Sequence, residues 1–398
     1  MNRPVIEMLG DGLFIPRYGF PIGVRNLKVQ QPKDQGEPDD VNGEETTRDD
    51  ERYKLQRDAL MALREYAPGS QLIAGGKRIT SRGILKHWTG ENVAGNNQML
   101  SRAWYQKEGG RFRFHEGFMA DTNGWSEAVI PKHGFTTARW EQPKRASNLR
   151  KVGRIFMATD AFNSQPNDGC YQMTPNVSGW FAEGGKIHGI NDGDGFGYAL
   201  CLRCGYAAAE SANGNGDQNL PGNFTSHRAI FQEPSNGAKC WGNGDTPVFR
   251  NRSIASSITT DLLMVDFSAL VANQVNARDI VVTISQALRL AGAEILHLDP
   301  REIRTLEPIP GFTNPQGWAA VLHDSLSGGA GHVSDLARNA TEWFVAAIRL
   351  LTVNDAADDE WKEREAVRRL LTSEVRDQDA EFRFKPLEAL QVLRNALQ

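Results

Sequence analysis

The rhythm of apolar and polar positions changes several times along this chain, and each change predicts a different kind of structure. Residues 4–30 alternate short apolar runs with Gly and Pro, which predicts strands and turns. From Ser70 to about Val129 the text is again strand-like, with turn signals at Gly75-Gly76 and Gly109-Gly110. Between these stretches, "YKLQRDALMALREY" sets Leu55, Leu60 and Leu63 on one helical face, and Pro68-Gly69 stops it. Residues 159–256 lose this regularity; they are dense in Gly, Asn and Asp and read as loop-rich. Beyond them the periods return. "TTDLLMVDF" predicts a short apolar strand, and "RDIVVTISQALRLAG" a helix with Ile280, Ile284, Ala287 and Ala291 at helical spacing, ending on Gly292. "EILHL" and "WAAVLHD" predict strands. "SDLARNATEWFVAAIRLL" predicts one amphipathic helix with Leu336, Ala340, Trp343, Ala347 and Leu350 along its stripe. Further helices are expected near 356–373 and 386–397.

These periods predict a mixed α+β or α/β fold in three parts. A β-rich N-terminal region covers 1–150, a loop-rich module 151–256, and an α/β unit ending in amphipathic helices 257–398. With 398 residues and 40% apolar side chains, a sizeable core is expected. The stretch 31–52 carries nine acidic and three basic side chains and almost nothing apolar, so it reads as a solvated, flexible loop. A formal net charge of −4 means that any nucleic-acid surface must be a local patch. No apolar run approaches the ~18 residues of a membrane span, and the N-terminus has no uninterrupted apolar core of a signal peptide. Four cysteines in a chain this long do not make a disulfide framework, which fits a reducing cytosol.

The cysteines carry the sharpest chemistry. In "GFGYALCLRCGYAAA", Cys201 and Cys204 stand two residues apart, a gap that lets one tight turn present both sulfurs to one ion. A redox pair would open a helix. Here the approach is strand-like and Gly205 follows at once, so a metal knuckle fits better. His227 in "NFTSHRAIF" and Cys240 in "GAKCWG" complete a three-sulfur, one-nitrogen set for one zinc ion. Cys170, thirty-one residues upstream of Cys201, is the alternative fourth ligand, and His188 a weaker one. Four protein ligands leave no open position, so the metal's role is expected to be architectural. The bland reading is a set of small buried thiols.

Two other stretches stand out. "AVLHDSLSGGAGHVSDLA" reads as strand, Gly-rich turn and helix, a geometry able to hold a phosphate, or one in which Gly328, Gly329 and Gly331 simply serve a tight turn. His323, Asp324 and His332 flank it and give an alternative reading as a metal-dependent nuclease or phosphodiesterase. The sequence matches neither G-x-x-x-x-G-K-[ST] nor G-x-G-x-x-G. "ARWEQPKRASNLRKVGR" is the dense positive run of the chain, with Arg139, Lys144, Arg145, Arg150, Lys151 and Arg154 around Trp140. Such a strip neutralises phosphates while the aromatic stacks on a base, or else is a solvated boundary loop.

Taken in order, "FIPRYGFP", "LREYAPGSQLIAGGKRITSRGI", "IPKHGFTT", "CLRCG" with its trailing His and Cys, "TTDLLMVDF" and "HDSLSGGAGHV" resemble the MrfA-type zinc-binding (MZB) helicase-associated domains. The version with "EYAPGS" is similar to the DrmB subunits of DISARM anti-phage systems. The resemblance runs from about residue 12 to 350. It implies a cytoplasmic, zinc-organised accessory subunit that partners a superfamily 2 (DEAD/DEAH-type) helicase on DNA and supplies no ATP site. Cys201, Cys204 and Cys240 fall on the family's cysteines and His227 on its histidine. Helicase-fused relatives carry a second cysteine cluster after the Gly-rich turn; this chain has no cysteine beyond Cys240, which points to a stand-alone subunit with one metal.

Overall fold

A computed structural model describes residues 23–30, 55–88, 100–141, 144–145, 148–164, 169–212, 218–222, 224–232, 237, 239–240, 248–352 and 385–398. The acidic stretch 31–52, "FIPRYGFP" and the helix expected near 356–373 lie outside the described residues.

In chain order, strands β1 (Arg25–Lys28) and β2 (Gln56–Arg57) precede helix α1 (Ala59–Glu65). Next come the hairpin β3 (Gln71–Ala74) and β4 (Lys77–Thr80), the short β5 (Gly83–Ile84), and the hairpin β6 (Arg102–Glu108) and β7 (Arg111–Glu116). They are followed by β8 (Ser126–Val129), β9 (Phe135–Thr136), β10 (Lys144–Arg145) and β11 (Ile155–Thr159). Strand β12 (Cys170–Thr174) turns into the long β13 (Val177–Asn191). Four short strands, β14 (Tyr198–Cys201), β15 (Ala207–Ala209), β16 (Ser211–Ala212) and β17 (Gln218–Asn219), lead to β18 (Val248–Asp266). The C-terminal part runs α2 (Ser268–Val271), α3 (Ala277–Ile295), β19 (Ile303–Pro310), β20 (Trp318–Asp324), α4 (His332–Arg338), α5 (Ala340–Leu351) and α6 (Pro386–Leu397). The fold is mixed α and β, as the periods predict.

Strand β18, at 19 residues, is the spine. Along most of its length it pairs antiparallel with β13, from Ser178↔Asp266 to Asn191↔Ile254. On its other edge β20 pairs at 262–266 and β8 at 253–254; β14 pairs with β18 at 248–252, and eleven strands join into one sheet. The apolar run "LLMV" therefore has two buried faces. Leu263 and Val265 face the core made by α3, α4, α5 and α6, while Leu262 and Met264 face a second core with Trp180, Phe162 and Val321. A strand buried on both sides needs no polar alternation. The stretch read as loop-rich in fact holds β13 and the first nine residues of β18. Its Gly, Ser and Thr stand where neighbouring elements press close: a Cβ on Gly189 would lie 2.7 Å from Leu60 of α1.

Other local expectations shift by identifiable causes. Helix α1 begins only at Ala59, because Asp58 accepts the backbone N–H of Leu60 and of Met61, each at 3.0 Å, and caps it. Leu55 lies ahead of that cap and packs on the same core without being helical. Helix α3 runs through Gly292 to Ile295, so "EILHL" is a helix end and turn; the strand after α3, which pairs with β20 on the edge away from β18, is β19. Gly292 is there for close approach, since a Cβ would meet Leu336, Ile303 and Trp343. The single helix expected over 334–351 is two, broken at Asn339 (φ −112°, ψ 36°), whose side-chain amide donates to Asp335 O instead of continuing the helix.

Candidate metal centre

Strand β14 delivers Cys201 into a tight turn that closes at Gly205. Cys201 N–H donates to Tyr206 O at 2.8 Å and Gly205 N–H to Cys201 O at 2.9 Å. Gly205 takes φ +85°, a left-handed conformation that lets the chain double back and aim both sulfurs the same way. The N-terminal region clamps this knuckle. Ile84 N–H donates to Gly205 O, Trp88 Nε1 to Leu202 O and Lys86 Nζ to Arg203 O, at 2.9, 2.6 and 2.9 Å. Gly83 lies so close that a Cβ there would sit 2.2 Å from Gly205 O.

The remaining two members arrive from the loop after β17. Cys240 N–H donates to His227 O at 2.8 Å, which sets those two residues side by side. The Cys201 and Cys240 sulfurs are 4.0 Å apart, and His227 Nε2 is 3.4 Å from Cys204 Sγ. All four ligand atoms lie within 4.8 Å of one another, and all four residues are buried. Among the described residues this is the one such group of three or more His, Cys, Asp or Glu. A tetrahedral zinc with Zn–S of ~2.3 Å and Zn–N of ~2.0 Å separates two sulfurs by ~3.8 Å and a sulfur from a nitrogen by ~3.5 Å. The observed separations match that geometry, so the Cys3His cluster can hold a metal ion, and the donor set is compatible with zinc.

The surroundings prepare each donor. His227 Nδ1 donates to Phe224 O, which orients the ring so that Nε2 faces the sulfurs. Tyr206 stacks on the imidazole at 4.5 Å and 10°, and Tyr206 N–H points at Cys204 Sγ from 3.4 Å. Within this cluster, hydrogen bonds from Cys204 and Cys240 hold the Cys201 thiol far below its ordinary value, while the same contacts push Cys204 up. Burial opposes the His227 cation, but contacts with Cys201 and Cys240 outweigh it and raise the imidazole to about 9. Neither alternative ligand belongs here. Cys170 is exposed at the start of β12, opposite Trp180. His188 is buried elsewhere, with Nδ1 2.8 Å from Ser257 Oγ, Nε2 3.1 Å from Asp160 Oδ1 and its ring stacked on Phe114.

The basic strip starts inside this module. Ala138 and Trp140 pack in the same small core as Cys201, Cys204 and Cys240, and Arg139 N–H donates to Ile230 O at 2.7 Å. From there the chain leads to β10, where Lys144 and Arg145 are exposed and pair with β4. That register sets Lys144 opposite Arg78 and Arg145 opposite Lys77. Like charges directly across two strands repel. Lys77 and Arg78 lie outside the strip as the sequence delimits it; their signal is "GGKRIT", where an exposed Lys77 and a half-buried Arg78 follow a Gly-Gly turn. Arg150, Lys151 and Arg154 follow on the surface, with Gln71 N–H of β3 donating to Arg150 O at 2.8 Å.

The Gly-rich turn is occupied by the protein itself. Asp324 is fully buried, and its carboxylate accepts the N–H groups of Ala330, His332 and Val333 at 2.6, 3.2 and 3.1 Å. Gly329 (φ +78°) is required because a Cβ would meet the Asp261 carboxylate at 2.2 Å. His323 is buried with Nδ1 on Asp324 O, and burial lowers it to about 4; His332 Nε2 lies 3.4 Å from Glu302 instead. The three residues of the nuclease alternative thus have structural partners.

No protein-family model matches the chain. Druantia protein DruE of Escherichia coli (strain UMEA 4076-1) is 29% identical over 183 residues, covering 41% of this chain and 9% of DruE. The chain thus spans about a tenth of that relative's length. A crystal structure of the DUF1998 helicase MrfA bound to DNA aligns over 81% of this chain and 32% of its own, at TM-score 0.34 and 10% identity. A second, bound to DNA and AMPPNP, aligns over 80% and 29%, at TM-score 0.27 and 9% identity. No helix among the described residues is long and apolar enough to cross a membrane.

Proposed function

We propose that this chain is a non-catalytic, zinc-organised accessory module that docks on a superfamily 2 DNA helicase and helps it engage DNA, in anti-phage defence of the DISARM or Druantia kind. One zinc on Cys201, Cys204, His227 and Cys240 is its structural cofactor. The observation that carries the reading is the continuity between the cluster and the basic strip. Trp140 and Ala138 are part of the metal module's core, and four residues beyond Trp140 the chain presents Lys144 and Arg145 against Lys77 and Arg78. Lys77, Lys144 and Arg145 are exposed and can meet an outside polyanion, and a metal-fixed base holds β10 in place. The motif resemblance to MZB domains and the sequence similarity to a Druantia protein support the helicase and defence setting.

The role expected of the metal is architectural, since the cluster's four donors fill a tetrahedral shell. The purified chain should carry one equivalent of zinc, and Cys201→Ser should lose it together with thermal stability. Less than half an equivalent, with Cys201→Ser as stable as the parent, removes zinc from the proposal. Single-stranded DNA affinity should fall with salt. Neutralising Lys77, Lys144 and Arg145 should cut the log–log salt slope by about 0.7 per lost phosphate contact. A slope indifferent to these charges rejects the DNA-engaging role and leaves only a scaffold.

A further inference from the structure

A cleft lies away from the cysteine cluster, where the tip of the β6–β7 hairpin comes down on β11, β19 and the start of α3. It has a volume of about 210 Å³. Phe112, Met157, Ala158, Leu306 and Trp318 give it mostly apolar walls. Gly110 (φ +80°) forms part of the wall, and a Cβ there would press on Pro310 and Trp318 at 3.0–3.3 Å. The charged residues lining it are two cations and one carboxylate. Glu307 Oε2 takes Lys107 Nζ at 2.9 Å and Arg278 Nη2 at 2.8 Å, so one acid is shared between two bases. Both cations are also laid against rings, Lys107 over Phe156 at 5.8 Å and Arg278 over Trp318 at 5.6 Å. Each of the three side chains is about one-third to one-half exposed, so an incoming anion can displace the carboxylate.

An apolar, aromatic-walled slot beside two cations that share one carboxylate suits a flat apolar body carrying an anionic group. We propose that the cleft takes one unpaired nucleotide, its base in the slot and its phosphate on Lys107 and Arg278 in place of Glu307. Bases stack on aromatic faces with little sequence preference, and Lys and Arg neutralise the phosphate. The ligand is a nucleotide of a single strand or a free one. In the single-strand form the inference rests on the DNA-engaging reading above and deepens it, because the strip holds backbone while this cleft holds a base.

The test compares an oligothymidylate, a strand of equal length built of abasic sites, and thymidine 5′-monophosphate, on the full chain. The base-bearing strand should bind about tenfold tighter than the abasic one. Met157→Trp fills the slot and should abolish that preference while leaving abasic binding unchanged. Lys107→Ala, at an exposed position, should reduce it. Glu307→Gln removes the competing carboxylate and should tighten the base-bearing strand ~3-fold. Thermal midpoints check that the variants fold. Equal binding of both strands by the parent, with no saturable thymidine monophosphate binding, overturns the inference; so does a preference that survives both Met157→Trp and Lys107→Ala. If neither strand binds but the monophosphate does, the DNA-engaging reading fails and the cleft stands as a free-nucleotide site. If the abasic strand alone responds to the strip charges, the strip stands and the cleft does not.

Discussion

At the scale of single residues, His323 shows how the interior of β20 decides protonation. Fully buried and with Nδ1 donating to Asp324 O, it stays neutral down to about 4, against 6.5 in an unfolded chain. Above pH 6.5 both states bind no proton there and His323 adds no pH dependence. Between pH 6.5 and 4 only the unfolded chain is protonated, so stability falls with acidity, by up to about 3 kcal/mol. Urea midpoints measured across this window should drop less steeply for His323→Gln, which keeps a donor but does not titrate. An equal slope in both proteins removes His323 as the cause. The candidate site was legible in the sequence to the same degree that its chemistry is local. Cys201, Cys204 and the glycine after them announce a knuckle by spacing alone, and His227 and Cys240 follow as suitable donors. What the sequence concealed is pairing at a distance: Tyr206 stacked on His227, Trp88 on the knuckle's carbonyl, and Lys77 and Arg78 beside Lys144 and Arg145. Strand register joins these residues, and no local pattern encodes register between β4 and β10.

At the scale of elements, the knuckle depends on β5 lying flat against it. A methyl group on Gly83 would meet Gly205 O at 2.2 Å and Tyr206 Cα at 3.2 Å, both backbone atoms that cannot rotate away. Gly83→Ala should therefore cost about 1–3 kcal/mol by overpacking and speed zinc loss to a chelator. Gly222→Ala, with nothing within 4 Å, is the control and should match the parent in both measurements. If Gly83→Ala behaves like Gly222→Ala, β5 does not brace the metal centre. Elements with a strong period are readable from the sequence: β20 and α6 follow their patterns closely, and the two hairpins turn where the glycine pairs predict. Elements misread were those where one local bond overrides the period. Asp58 starts α1 late, Asn339 splits a helix in two, and Gly292 sits inside α3 because packing, not termination, needs it. β13 carries no strand period, because a strand between neighbours that press close is built from Gly, Ser and His as well as from Val and Ile.

At the scale of the whole molecule, β18 links two centres that ought to respond differently to the loss of metal. Its N-terminal end pairs with β14 at Cys201↔Val248, beside the cysteine cluster, whereas residues 262–266 are sealed under the C-terminal helices. The helical core of α3, α5 and α6 is built from large apolar side chains such as Trp343, Phe344 and Leu393, and needs no ion to repay its ordering entropy. The cluster's core is small, and three of its eight fully packed members are the cysteines themselves. An ion tying those thiols would therefore supply a large share of that module's stability, as structural zinc does in small domains. Chelation should raise amide hydrogen exchange first in 198–209 and 224–232, then in 135–141, since Ala138 and Trp140 lean on the same core. Amides of α3 and β20 should keep their protection. Because the basic strip hangs from Trp140, single-strand affinity should fall along with protection in 135–141, and zinc should restore both. Uniform loss of protection across both halves would make the metal a keystone of the entire fold, while unchanged exchange at 135–141 would uncouple the strip from the metal.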